Sequence, residues 1–109
     1  MRERLDLGQV QSELKSCPEW AVAPDQLSIT RNFVFSSFAE AFGFMTEVAI
    51  IAEKMDHHPE WTNVWRKVSV TLTTHSVKGL TNPDFDLAKA MDSGSKASSI
   101  KPALRKILV

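Results

Sequence analysis

Apolar residues recur at helical spacing from Asp6 to Ser16, at Leu7, Val10 and Leu14, and Cys17-Pro18 closes the pattern because proline disfavours helix in its predecessor. A short first helix is predicted there. Trp20 and Val22 alternate with small or polar neighbours up to Pro24-Asp25, and beyond it Leu27, Ile29, Phe33 and Phe35 share one parity, which predicts a β-hairpin. Arg31 falls on the same apolar parity and so marks a strand end or an edge. Ser37 followed by Glu40 is the signature of a capping box. Phe38, Phe42, Met45, Ala49, Ala52 and Met55 continue from it with a 3.6-residue period, so a long helix is predicted from about Phe38 to Met55. Phe44, Val48 and Ile51 form a second apolar stripe that a one-sided helix does not need. That stripe is read as a face for another subunit; the alternative is that Phe44 and Ile51 pack under the preceding loop.

Val64, Arg66, Val68, Val70 and Leu72 then alternate with Asn63, Trp65, Lys67, Ser69, Thr71 and Thr73, the pattern of one long strand with His75 at its end. Lys78-Gly79 makes a turn, preceded by a faint signal for a short strand near Ser76 to Leu80. Thr81, Pro83 and Asp84 open a third helix whose apolar side carries Phe85, Ala88 and Met91. Asp92-Ser93-Gly94-Ser95 is expected to break it. The chain therefore divides into one domain over residues 1–92 and a basic extension over 93–109, in which Lys96, Lys101, Arg105 and Lys106 stand with no acid. Ile100, Ala103, Leu104, Ile107 and Leu108 would share one face of a short helix that docks on its own domain or stays disordered. The expected architecture is α+β: a small antiparallel sheet of about four strands with three helices packed on one face.

Composition narrows the function classes. At 109 residues, with 43% hydrophobic and 24% charged positions, the chain suits one globular domain. Thirteen basic residues balance thirteen acidic ones, which removes the electrostatic reason to expect direct nucleic-acid binding. No apolar run is long enough to cross a bilayer, so no membrane association is expected. The lone cysteine, Cys17, and the lack of a basic-then-apolar opening segment point to a reducing compartment: the cytosol, with the nucleus also open.

The candidate chemistry lies in three histidines, His57 and His58 at the end of the long helix and His75 at the end of the long strand. Convergence of helix end and strand end would gather imidazoles, which give and take protons near neutrality. The bland alternative for the doublet is a solvated helix C-terminus, where imidazolium also suits the macrodipole. Zinc is a rival, with Asp56 or Glu60 completing the set, but adjacent histidines point in different directions and no His-x-x-x-His pair is present. Ser76 beside His75 lacks a nucleophile elbow, and Cys17 lacks a charged helper.

The run Glu53-Lys54-Met55-Asp56-His57-His58-Pro59-Glu60-Trp61, then Thr73-Thr74-His75, then Gly79-Leu80 and Asp84, resembles the signature of the pterin-4a-carbinolamine dehydratases. The segment Ala41-Phe42-Gly43-Phe44-Met45-Thr46-Glu47-Val48-Ala49 is similar to that family as well. The resemblance spans about Trp20 to Met91, and the basic extension has no counterpart in it. It implies dehydration of 4a-hydroxytetrahydrobiopterin to quinonoid dihydrobiopterin, in tetrahydrobiopterin recycling, with neither metal nor organic cofactor. His57, His58 and His75 would be catalytic together with the carboxylates Glu53 and Asp84. Asp56, Pro59, Trp61, Thr73, Thr74 and Ser76 would help those histidines bind the pterin. Within the set, His57 and His75 are read as the acid–base pair and His58 as chiefly orienting. Glu53 could equally be a solvated helix residue, Asp84 a helix N-terminal charge and Trp61 a core residue. The resemblance also implies a homodimer or homotetramer through the helix Phe38 to Met55, and a transcription-factor partner, since vertebrate members stabilise a homeodomain factor's dimer. The competing function is thus a non-catalytic dimerisation partner; three intact histidines favour the enzyme.

Overall fold

The computed structural model describes the backbone of residues 2–108 and the side chains of residues 2–96. Asp6 caps the first helix, α1 (Leu7–Leu14): its carboxylate accepts from the Gln9 N–H at 2.8 Å, while the Gln9 side-chain oxygen accepts from the Asp6 N–H at 2.9 Å. Strand β1 (Ala21–Val22) pairs antiparallel with β2 (Ile29–Val34), as the hairpin pattern predicts. Ser37 caps α2 (Phe38–Met55) by accepting from the Glu40 N–H. The Glu40 carboxylate does not complete the expected box on Ser37; it turns one residue further back, to the Ser36 N–H and hydroxyl.

The single long strand read from residues 63–73 is instead a hairpin of β3 (Glu60–Val64) and β4 (Lys67–Leu72). Val64 pairs with Lys67, which leaves a two-residue turn at Trp65-Arg66, and Trp65 adopts the left-handed φ of 54°. Such turns favour Asn-Gly or Asp-Gly, so a Trp-Arg pair carries no warning of one. The turn also switches parity. Trp61 and Asn63 face inward on β3, Val68, Val70 and Leu72 on β4, and Val64 points out to solvent. The faint strand near Ser76 to Leu80 is a 3₁₀ turn (His75–Val77), followed by an isolated Thr74–Gly79 bridge.

The open antiparallel sheet has the order β1-β2-β4-β3, and α2 packs on β4 and along α3 (Asn82–Leu108). The core between them joins Ile29, Phe33, Val68, Val70 and Leu72 of the sheet to Ala41, Phe44, Val48 and Ala52 of α2 and to Phe85, Ala88 and Met91 of α3. The Phe44 ring lies 4.9 Å from both Phe33 and Phe35, centroid to centroid. Three helices and a four-stranded antiparallel sheet thus make the expected α+β fold.

Two expectations about helices are reversed. The stripe assigned to another subunit faces inward: Phe44 and Val48 are buried and Ile51 is half-buried. The other stripe is split: Ala52 is buried and Met45 and Met55 are half-buried against the core, whereas Phe38 and Phe42 are 51% and 58% exposed and Ala49 is exposed, with Ile50 beside them exposed too. Nor does α3 break at Ser93-Gly94; it runs through both. A mid-helix glycine costs only about 1 kcal/mol relative to alanine. Asp92 anchors that stretch, accepting from Trp20 Nε1 at 2.8 Å and from Arg31 at 2.5 Å. Arg31 thereby explains its place on the apolar parity, stretched over the Phe33 ring towards Asp92. The expected apolar face of residues 100–108 concerns side chains outside the described residues.

Candidate active site

The last turn of α2 creates the site. Asp56 caps the helix in the left-handed conformation (φ 50°), and the His57 N–H returns to the Ala52 carbonyl at 3.1 Å. This reversal turns the His57 ring into the protein while His58-Pro59 leads out to β3. His57 is 4% exposed, with Nε2 at 2.5 Å from Asp84 Oδ1. The other oxygen of Asp84, at the start of α3, accepts from the Thr74 hydroxyl at 2.8 Å and from the Thr81 N–H at 2.9 Å. Buried carboxylate and buried imidazole are each other's partners, and the threonines complete the carboxylate's shell.

The second ring nitrogen of His57, Nδ1, lies 3.0 Å from Arg2 Nη1. The Arg2 guanidinium also donates through Nη2 to the carbonyls of Met55 at 2.8 Å and Asp56 at 2.6 Å, closing the end of α2. Guanidinium has only donors, so Nδ1 accepts in this contact and the Nε2–H donates to Asp84 Oδ1. That pair of contacts suits the Nε2–H tautomer of His57.

The other two histidines sit at the surface, each against its own carboxylate. His58 Nε2 is 2.8 Å from Glu53 Oε1, and His75 Nε2 is 2.5 Å from Glu60 Oε1; their side chains are 57% and 80% exposed. His57, His58 and His75 line one cleft of about 210 Å³ with Asp56, Thr73, Thr74, Ser76 and Arg2. The Thr73 hydroxyl is committed to the Leu27 carbonyl at 2.6 Å. Glu53, Pro59 and Trp61 line an adjoining cleft of about 280 Å³, and His58 belongs to both. Trp61 is half-buried against the core and also lines that adjoining cleft. Asp84 lines neither cleft; it lies fully buried behind His57.

A larger cleft of about 340 Å³ runs between β2 and α3, past Arg31, Ser36, Glu40 and Ser95. None of the three histidines lines it. Among the described residues, no three His, Cys, Asp or Glu side chains are grouped to hold a metal. Cys17 is fully buried, its thiol donating to the Glu13 carbonyl. Burial, reinforced by nearby Asp92, pushes that thiol above its ordinary pKa, which makes it a poor nucleophile. Sequence reasoning missed Arg2, and it considered Glu60 only as a metal ligand. Nothing in the pattern around Arg2 marks it, because its partners are 53 to 55 residues away.

The site thus gathers three imidazole–carboxylate pairs on a small α+β frame. The sequence profile of the family described as pterin 4 alpha carbinolamine dehydratase matches residues 3–94, and the chain belongs to that family. Relatives from Chelativorans sp. (strain BNC1) and Rhizobium etli are 54% and 53% identical over 92 and 93 residues, covering 84% and 85% of this chain and 94% and 92% of theirs. Each carries the name "Putative pterin-4-alpha-carbinolamine dehydratase". The crystal structure of a transcriptional coactivator/pterin dehydratase from Brucella melitensis superposes with a TM-score of 0.83 at 41% identity, covering 85% of this chain and 99% of that one. A pterin dehydratase-like RuBisCO assembly factor of the alpha-carboxysome, 20% identical with a TM-score of 0.62 over 71% of this chain and 89% of its own, shares the fold.

Proposed function

We propose that this protein is a dehydratase that removes water from 4a-hydroxytetrahydrobiopterin to give quinonoid dihydrobiopterin, so returning the pterin to the tetrahydrobiopterin cycle. The observation that carries the reading is the shared cleft of His57, His58 and His75, each imidazole set by its own carboxylate. Elimination needs a proton delivered to the C4a hydroxyl and another removed from N5, and such general acid–base help contributes about 10² to 10⁴-fold. His57 and His75 carry the two transfers, His58 orients the pterin, and Thr74 and Ser76 border its place in the cleft. Glu53 and Asp84 act through the histidines they touch. Neither metal nor cofactor enters this reading. The test is dehydration of freshly generated 4a-hydroxytetrahydropterin beside the uncatalysed reaction. Acceleration that survives exhaustive chelation is expected, and a rate equal to the blank would overturn the reading.

The alternative role, stabilising another protein's dimer, draws on the apolar surface that α2 leaves uncovered at Phe38, Phe42, Ala49 and Ile50. The same surface supports a homodimer or homotetramer through Phe38–Met55, so enzyme and partner readings share it. Phe42→Glu should dissociate such an assembly in sedimentation without unfolding the protomer, because a carboxylate is costly in an apolar seam and harmless on an exposed face. A strict monomer at micromolar concentration for the unaltered protein would remove this assembly. Among the described residues, no helix is long and apolar enough to cross a membrane. A single, buried cysteine supports a reducing compartment, the cytosol or, for a transcription-factor partner, the nucleus.

A further inference from the structure

The three histidines do not share one electrostatic setting. The His57 ring is held between Asp84, from the start of α3, and the permanent cation of Arg2, from the segment ahead of α1. Asp56, His58 and His75 are the other titratable groups lining its cleft. His58 and His75, by contrast, meet carboxylates at Nε2. A carboxylate favours the charged imidazole, whereas a guanidinium against Nδ1 opposes the arrival of a proton at that atom. Arg2 is also pinned, since its second nitrogen stays on the Met55 and Asp56 carbonyls at the negative end of α2.

We infer that Arg2 is a positioning residue that sets the direction of proton transfer: lying against His57 Nδ1, it reserves His57 as the neutral base and leaves proton donation to His75. The inference rests on the dehydratase reading and deepens it. In the reaction, the substrate N5–H takes the place of Arg2 Nη1 at the Nδ1 lone pair, while Arg2 keeps its hold on the helix end through Nη2. The N5–H bond breaks and an Nδ1–H bond forms. The electron pair left on N5 becomes the N5=C4a double bond as the C4a–O bond breaks, and the departing hydroxyl leaves as water with the proton of His75. His57 then holds one proton more and His75 one fewer, and exchange with solvent restores both.

The test uses the full chain with ¹⁵N-labelled histidine and two variants, Arg2→Met and Arg2→Gln; the second keeps N–H donors but drops the charge. In the unaltered protein the His57 ring should show the Nε2–H tautomer at neutral pH. In both variants the pH at which its ring signals titrate should rise by about one unit, the scale of a close charge contact. The acidic limb of the kcat/KM profile should rise with it, because the base is then lost to protonation earlier as pH falls. An Nδ1–H tautomer in the unaltered protein, or unchanged titration in both variants, overturns the inference. If the unaltered protein lacks dehydratase activity, the functional reading fails by itself, and the titration still decides what Arg2 does to His57. A role confined to closing the helix would lower thermal stability and leave the titration where it was.

Discussion

His57 and His58 are adjacent in the chain, yet one ring is 4% exposed and the other 57%. The difference comes from one left-handed residue, Asp56, which reverses the chain between them and the helix. His57 is bound into the frame of the protein: through Asp84 it is tied to Thr74 beyond β4 and to Thr81 before α3. His58 and His75 lean on carboxylates that are themselves mostly solvated. Damage to the interior pair should therefore affect folding and function together, whereas damage to the surface pairs should affect function alone.

Asp84→Ala gives the largest expected effect. It leaves His57 Nε2–H, the Thr74 hydroxyl and the Thr81 N–H without their buried acceptor, and should cost about 3–5 kcal/mol of stability in urea denaturation, with loss of turnover. A loss below about 1 kcal/mol would mean that water replaces the carboxylate and that the interior pair is no better built than the surface ones.

His75→Ala should lower kcat/KM by about 10² to 10⁴-fold, and should leave unfolding free energy within about 0.5 kcal/mol, as for exposed substitutions generally. Unfolding comparable to that of Asp84→Ala would erase the distinction; turnover at the unaltered rate would remove His75 from the acid–base pair. Glu60→Gln is the mildest change. It keeps the shape of the partner at His75 Nε2 and removes its charge, and an exposed pair contributes up to about 1 kcal/mol, so kcat/KM should drop no more than about fivefold. A fall as deep as that of His75→Ala would promote Glu60 from orienting group to essential partner.

Local pattern made much of the fold legible. The period from Phe38 to Met55 matches α2 end to end, and Pro83 and Asp84 mark the first turn of α3. The β3–β4 hairpin was hidden because Trp65 takes a left-handed conformation with none of the usual turn residues to announce it. The continuation of α3 was hidden because Gly94 reads as a breaker, while Trp20 and Arg31, distant in sequence, hold Asp92 in place. In the site, the histidine doublet and His75 were visible as residue types suited to one chemistry, and the cleft gathers all three. Glu60 was visible only as a carboxylate, and its contact with His75 comes from β3 starting where the 3₁₀ turn begins.

The amino-acid sequence by itself determined most of the helical and strand segments, the cap at Ser37, and a set of histidines suited to proton transfer. These are properties of short stretches, in which spacing and residue type act within a few turns. Tertiary structure alone decided which stripe of α2 meets the sheet, which neighbouring histidine is buried, and that Arg2 reaches a ring 55 residues away. The period of a helix records that two faces are apolar but not which one finds a partner. That choice is made by long-range packing, here the Phe33 and Phe35 rings closing on Phe44.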